Sequence, residues 1–316
     1  MPTLKSPKKG SLQVWPRKRA DKFLPRVNWA ALNSKKNPQA FIAYKAGMVS
    51  LSVKDNTPNS MTKGKKIVIP ATIVECPPMK IFSIRLYKHG NVVGEILNDN
   101  IDKELKRVVK LPKTKEHKHS LEKKDTYDDV RIIAYSIPKK TNIKKTPDLT
   151  EIGLSGTVDE KINFVKENMN KELSVTNTFA KGEVIDFRGL TTGKGWVGPV
   201  KRFGISLKSH KSEKGQRRPG NLAPWHPSRV TFKAAQAGNM GMYTRVTKNS
   251  KIVDIGKAEN KKELTNIKNF GDIKTEYIIV NGSIQGPSKR QLLITVPLKE
   301  TKKQVKKNLD FLGILR

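Results

Sequence analysis

FIAYKAGMVSLSV (residues 41–53) is followed by KIVIPATIVECPP (66–78) and MKIFSIRLYKHG (79–90). All three runs are rich in β-branched and aromatic residues, and Pro and Gly punctuate the breaks between them. That texture predicts antiparallel strands. It returns in VRIIAYSIP (130–138), KGEVIDFRGL (181–190), SKIVDIG (250–256), TEYIIVNGSI (275–284) and RQLLITVPL (290–298). The strand-like pieces are therefore spread over the chain, and the predicted class is mostly β with an α/β insertion.

Between the strands, Ile101, Leu105, Val108 and Val109 fall at helical spacing, which predicts a short helix over 101–111 that ends before Pro112. Thr157-Val-Asp-Glu160 is a capping box. Ile162, Val165 and Met169 behind it give one apolar stripe, so a helix starts here. Val305, Leu309 and Leu312 at i, i+4 and i+7 predict a C-terminal helix. The expected organisation is a basic N-terminal extension (1–38), barrel parts at 39–100 and 179–200, and an α/β insertion at 101–178. A central basic loop with a Trp tip (201–237) precedes a last barrel part and helix (238–316). No repeat period is evident.

The chain has 63 Lys and Arg against 28 Asp and Glu in 316 residues, a formal charge of +35. A compact protein carrying that excess repels itself, and a polyanion relieves the repulsion. Nucleic acid supplies one. A membrane surface would call for an amphipathic basic helix or a lipid anchor, and the sequence shows neither. Nor does any stretch approach the roughly 20 apolar residues of a membrane span, and MPTLKSPKKG has no apolar signal core. Cys76 is the single cysteine, which excludes an intramolecular disulfide framework and a Cys-based zinc knuckle and fits a reducing, intracellular compartment.

Enzymatic signals are weak. TTGKG (191–195) fails as a P-loop on two counts: only three residues separate Gly189 from Gly193, and Gly195 follows Lys194 where Ser or Thr is needed. The histidines are His89, His117, His119, His210 and His226, and no acidic or cysteine cluster accompanies His117 and His119 to complete a zinc site. No metal, cofactor or small-molecule substrate is predicted.

Charge is most strongly segregated from Phe187 to Ser250, where thirteen Lys or Arg face a single acid, Glu213. Trp196, Phe203, Trp225, Phe232 and Tyr243 are interleaved with these cations. Cations neutralise phosphates and aromatic faces stack on unpaired bases, a pattern suited to irregular RNA more than to duplex DNA. Phe187, Phe203 and Phe232 lie near apolar neighbours and are expected in the core. Trp225, between Pro224 and Pro227 with no apolar periodicity around it, is expected at a loop tip. Residues 1–38 add ten cations against Asp21 alone and cannot fold by themselves.

FAKGEVIDFRGLTTGKGWVGPVKR (179–202) matches, without a gap, the diagnostic run of the universal large-subunit ribosomal protein L-three family in its archaeal and eukaryotic form. Phe179, Asp186, Gly189, Thr191, Gly193, Lys194, Gly195, Gly198 and Arg202 fall on its defining positions. PRKR (16–19), AYKAGM (43–48), PPMK (77–80), PVKRFG (199–204), GNLAPWHPSRV (220–230) and GSIQGPSKR (282–290) extend the resemblance over nearly the whole chain. It implies a six-stranded translation-protein-type β-barrel with long basic non-globular extensions, a non-enzymatic role in the cytoplasmic large ribosomal subunit, and early assembly near the 3′ domain of 23S-type rRNA. The implied rRNA-binding residues are Lys8, Lys9, Arg17, Lys18, Arg19, Arg26, Lys45, Arg188, Lys194, Lys201, Arg202, Lys208, His210, Lys211, Lys214, Arg217, Arg218, Trp225, His226, Arg229, Arg245, Lys289 and Arg290. Trp225 and His226 would form a tip near the peptidyl transferase centre. Proteins of the L-fourteen and L-twenty-four-e families are the implied neighbours, and any structural Mg2+ would be held by rRNA. The charged stretch KTKEHKHSLEKKD (113–125) departs from the pattern and has no assigned role. An RNA-modifying enzyme or a DNA-binding architectural protein would also carry a basic surface, and the gap-free family run counts against both.

Overall fold

The computed structural model describes residues 15–32, 34–112, 127–260 and 262–315. The predicted contact residues Lys8 and Lys9 lie outside them, as does the charged 113–125 stretch with its histidines His117 and His119. The chain forms two compact units, a larger one of residues 23–189 and 246–316 and a smaller one of residues 1–22 and 190–245.

In chain order the strands are β1 (Ala40–Asp55), β2 (Lys66–Cys76), β3 (Met79–Lys88), β4 (Asn91–Leu97), β5 (Asp129–Ser136) and β6 (Leu149–Gly153). These are followed by β7 (Val184–Leu190), β8 (Trp196–Val197), β9 (Gly238–Asn239) and β10 (Thr244–Lys257). β11 (Glu276–Asn281), β12 (Gln291–Thr295) and β13 (Leu309–Leu315) complete the set. The helices are short: α1 (Val158–Asn168), α2 (Val175–Thr178), α3 (Pro199–Phe203) and α4 (Lys302–Lys306). The chain is thus mostly β, as its punctuated β-branched runs predict.

One sheet of the larger unit runs β12-β7-β10-β11-β2-β1-β13, with β1 also pairing β12. The β1–β12 ladder is antiparallel, from Ala40 opposite Thr295 to Tyr44 opposite Gln291, and Phe187 of β7 lies opposite Ile294. β1 is buried over its first seven residues because β2 and β12 flank it and both of its faces are covered. Pro70 sits within β2, where it cannot donate to a ladder. It is tolerated because the β2–β11 pairing stops at Ala71, beyond which Gly282 N–H donates to the Pro70 carbonyl.

The second sheet, β4-β3-β5-β6, corrects the expected boundary at residue 100. The β texture of β3 and β4 predicts barrel strands, but β3 pairs with β4 and β5, and neither β3 nor β4 pairs with β2. Pro77 and Pro78 make the break, since neither can extend a ladder. The two sheets share a core that includes Phe41, Ile42, Met79, Ile81, Ile84, Ile132, Phe187 and Ile294. α1 starts where the capping box predicts: Glu160 N–H donates to Thr157 Oγ1 and Thr157 N–H donates to Glu160 Oε2, while Ile162 and Val165 are buried.

Two predicted helices are corrected. Residues 101–111 contain only a 3-10 turn, Lys103–Arg107, with Leu105 buried and Val108 44% exposed. One buried anchor does not sustain so short a helix in water. At the C-terminus, α4 stops at Lys306 and 309–315 is a strand, with Ser50 opposite Leu315 and Asp55 opposite Leu309. The helical spacing of Val305, Leu309 and Leu312 is incidental. Val305 and Leu312 are half exposed, while Leu309, Phe311 and Ile314 pack on the second apolar cluster of the sheet. Ladder bonds to the end of β1 outweigh a weak local helix preference.

Candidate nucleic-acid interface

The smaller unit holds most of the predicted contact residues, and its frame is built from few bonds. β8 and β9 pair at Trp196–Asn239 and Val197–Gly238. Around them Thr191 N–H donates to the Tyr243 carbonyl, Lys194 N–H to the Met240 carbonyl, and Met240 N–H to the Gly195 carbonyl. Ala20 N–H donates to the Met242 carbonyl at 2.9 Å, which fixes the end of the N-terminal extension in the same unit. Gly241 is required here: its φ is +88°, and a Cβ would lie 2.1 Å from the Thr192 carbonyl oxygen. Gly241 thus serves the unit's own close packing.

α3 begins at Pro199, which suits the first turn, and ends at Gly204 in the left-handed region. From Gly204 to Ala237 the chain has neither helix nor strand. Structureless stretches longer than about 12–15 residues are uncommon in compact domains and usually functional. Lys208 N–H donates to the Gln216 carbonyl, so the stretch folds back on itself, and Arg202 Nη1 ties its far end by donating to the Gln236 and Ala237 carbonyls.

On this frame Lys18, Arg19, Lys194, Lys201, Lys208, His210, Lys211, Lys214, Arg217, Arg218, His226, Arg229 and Arg245 are exposed. Trp225 is 88% exposed and Trp196 is 74% exposed. A tryptophan carries a large apolar area, and holding one in water brings the free protein no burial energy. Arg17 and Arg202 are half-buried and share one ring, with Cζ 4.6 Å and 5.2 Å from the Phe203 centroid. Burial lowers the Arg17 guanidinium below its ordinary value. Tyr243 opposes this, and the neighbouring Arg202 and Arg245 charges add to the lowering.

The larger unit treats its charges differently. Its ion pairs include Arg85 with Glu95 and Glu151, Arg131 with Asp129 and Glu151, and Lys161 with Asp129. Its predicted contact residues divide by burial. Lys45 is buried, and its Nζ donates to the Ile284 and Gly286 carbonyls at 2.5 and 3.0 Å, so it holds a loop of its own unit instead of facing outward. The alternating texture around Lys45 gave no sign that both faces of β1 are covered there. Arg188 is half-buried, with Nε donating to Thr295 Oγ1 at 3.1 Å. Arg290 lies 5.3 Å over the Phe23 ring, while Arg26 and Lys289 are exposed. Burial lowers Arg188 and Arg290 below the ordinary guanidinium value, with Asp186 opposing the shift at Arg188.

The aromatic expectations are half right. Phe187 is fully buried, but Phe203 is half-buried beneath two guanidiniums and Phe232 is 70% exposed, edge-to-face against Trp15 at 4.9 Å. Apolar neighbours in sequence do not make a core where the chain has no sheet or helix to close over them. Trp15 itself is a residue the sequence reading missed, and its only signal is its place directly before PRKR. Among the described residues no cluster of His, Cys, Asp or Glu could hold a metal ion, and no helix is long and apolar enough to cross a membrane.

A mostly β framework that carries a cationic, aromatic-studded unit of irregular chain defines a protein built to bind RNA. The sequence matches the family profile described as Ribosomal protein L3 over residues 1–311. It is 37% identical to the large ribosomal subunit protein uL3 of Methanocaldococcus jannaschii over 303 residues, 91% of this chain and 90% of that one. Identity is 36% over 297 residues to uL3 of Archaeoglobus fulgidus (90% and 89%) and 37% over 306 residues to that of Methanothrix harundinacea (92% and 91%). The chain belongs to the ribosomal protein L3 family, whose members are structural, non-enzymatic components of the cytoplasmic ribosome.

Proposed function

We propose that this protein is a structural constituent of the large ribosomal subunit that binds 23S-type rRNA directly near its 3′ domain and nucleates assembly there. In this reading the 204–237 stretch extends toward the peptidyl transferase centre with Trp225 and His226 at its tip. The observation that carries the proposal is the smaller unit itself: a long irregular stretch, dense in exposed Lys and Arg, that contains a tryptophan 88% exposed. Lys and Arg release condensed counterions from phosphates, which supplies sequence-independent affinity, and exposed rings stack on unpaired bases. Peptide transfer is left to RNA, with Trp225 biasing nearby base conformations.

The pairing of β1 with both β2 and β12 returns the sheet of the larger unit on itself, and this supports reading β12-β7-β10-β11-β2-β1 as the six-stranded translation-protein-type barrel. Proteins of the L-fourteen and L-twenty-four-e families are its proposed neighbours. No cofactor belongs to the chain, and structural Mg2+ is held by the rRNA.

The test replaces 204–237 with a short Gly-Ser linker and measures binding to a 3′-domain rRNA transcript together with incorporation into large subunits. Weakened binding and poor incorporation are expected. Undiminished binding with normal incorporation would remove the loop from the account.

A further inference from the structure

The smaller unit contains a cleft of about 370 Å³ bounded by Trp15, Arg17, Arg202, Phe203 and Phe232. That volume lies in the range of about 300–1,000 Å³ typical of small-ligand sites. Its walls are aromatic and cationic together. Arg17 lies 5.7 Å from the Trp15 centroid and 4.6 Å from that of Phe203, so the guanidinium is held between two rings. The Phe232 ring stands T-shaped to Trp15 and remains 70% exposed, so most of its surface is open to a ligand.

Two donors in the walls find no acceptor among the described residues. Trp15 Nε1 and Arg202 Nε are both buried there with no hydrogen-bond partner, although Arg202 Nη1 is anchored on the Gln236 and Ala237 carbonyls. Buried donors without acceptors are costly, and native structures seldom keep them unless a ligand or water completes them. The local charge points to the sign of that ligand. Arg17 and Arg202 repel each other across Phe203, with Arg245 adding to the repulsion. An anion between these guanidiniums relieves the repulsion and accepts from the orphaned N–H groups.

We infer that this cleft seats one unstacked nucleotide of single-stranded RNA, its phosphate on Arg17 and Arg202 and its base against Phe232 and Trp15. A phosphate alone would leave the aromatic rim unused, and a neutral apolar ligand would leave Trp15 Nε1 and Arg202 Nε without an acceptor. The inference rests on the RNA-binding reading above and adds one defined subsite to it, separate from the Trp225 tip.

The experiment uses the full chain and a mixed-sequence RNA decamer, beside the same decamer carrying abasic riboses, with inorganic phosphate as a competitor. The intact decamer should bind about tenfold more tightly than the abasic one, and Phe232→Ala should narrow that difference without altering the salt slope. Arg17→Gln should weaken both decamers and reduce the slope by about 0.7. Photocrosslinking of a 5-bromouridine decamer to the unmodified protein should label Trp15 or Phe232, a readout independent of how the variants fold. Equal binding of the two decamers by the wild-type chain, or crosslinks confined to Trp196 and Trp225, overturns the subsite while the general RNA reading stands. Displacement of the decamer by millimolar phosphate with no base dependence reduces the cleft to a phosphate seat and also overturns it. Failure of the wild-type chain to bind either decamer or rRNA would instead sink the RNA reading itself.

Discussion

Replacing Lys208, Lys211, Lys214, Arg217 and Arg218 together with Gln removes five cations from one arm of the smaller unit. All five are exposed, so the exchange leaves the fold nearly untouched, within about 0.5 kcal/mol per site. If each faces a phosphate, each contributes about 0.7–0.9 to the slope of log K against log salt, and the variant loses about four units. Over a fourfold rise in salt, from 50 to 200 mM, four units correspond to about 10²-fold in affinity. The wild-type protein should therefore weaken over that interval by about 10²-fold more than the variant. Fluorescence anisotropy with a labelled 3′-domain rRNA transcript, titrated in KCl at four or five concentrations, measures both slopes. The single variants Arg217→Gln and Arg218→Gln should each shift the slope by about one unit. An unchanged slope in the five-fold variant, with its melting curve intact, would mean that this arm faces solvent in the complex and that the affinity resides elsewhere.

Trp225→Ala should leave rRNA affinity nearly intact, because the arm supplies the phosphate contacts, yet change sensitivity to peptidyl transferase inhibitors or tRNA accommodation. Wild-type behaviour in both assays would remove the tip from function. Phe187→Ala, at a fully buried position of the shared core, should cost about 3–5 kcal/mol in urea denaturation, and a loss below about 1 kcal/mol would mean that the site collapses freely. Thr157→Ala removes the α1 cap and should cost about 1 kcal/mol by the same measurement. Gly241→Ala should loosen only the smaller unit, since its Cβ would strike the Thr192 carbonyl. Limited proteolysis should then cut within 190–245 first, and cleavage patterns identical to wild type would show that the strain is absorbed.

Much of the fold is written locally. The runs at 41–53, 66–78, 130–138, 181–190, 250–256 and 275–284 all become strands because β-branched pattern and Pro/Gly punctuation agree there, and the α1 capping box is a four-residue signal that tertiary structure only completes. What the sequence hides is pairing. β3 and β4 have the same texture as β1 and β2, and only the ladder to β5 shows that they belong to the other sheet. β13 reads as a helix because its stabilisation comes from the end of β1, some 260 residues away in sequence. In the candidate interface, missing acids singled out the 187–250 stretch, whose cations are largely exposed, and two prolines pointed to an irregular stretch in which Trp225 is 88% exposed. Burial was not legible: Lys45 is spent on carbonyls inside its own unit, and Phe232 is displayed instead of packed. The Trp15 to Phe232 contact joins residues more than 200 positions apart, and no local pattern announces it.

The central claim, that the smaller unit is the principal rRNA-binding surface, is tested most directly by crosslinking the protein to rRNA in purified large subunits and mapping the linked peptides. The account predicts that they concentrate in 15–22 and 190–245, with a Trp225 peptide joined to nucleotides at the peptidyl transferase centre. Crosslinks confined to the sheets of the larger unit, with 204–237 unlabelled, would contradict it.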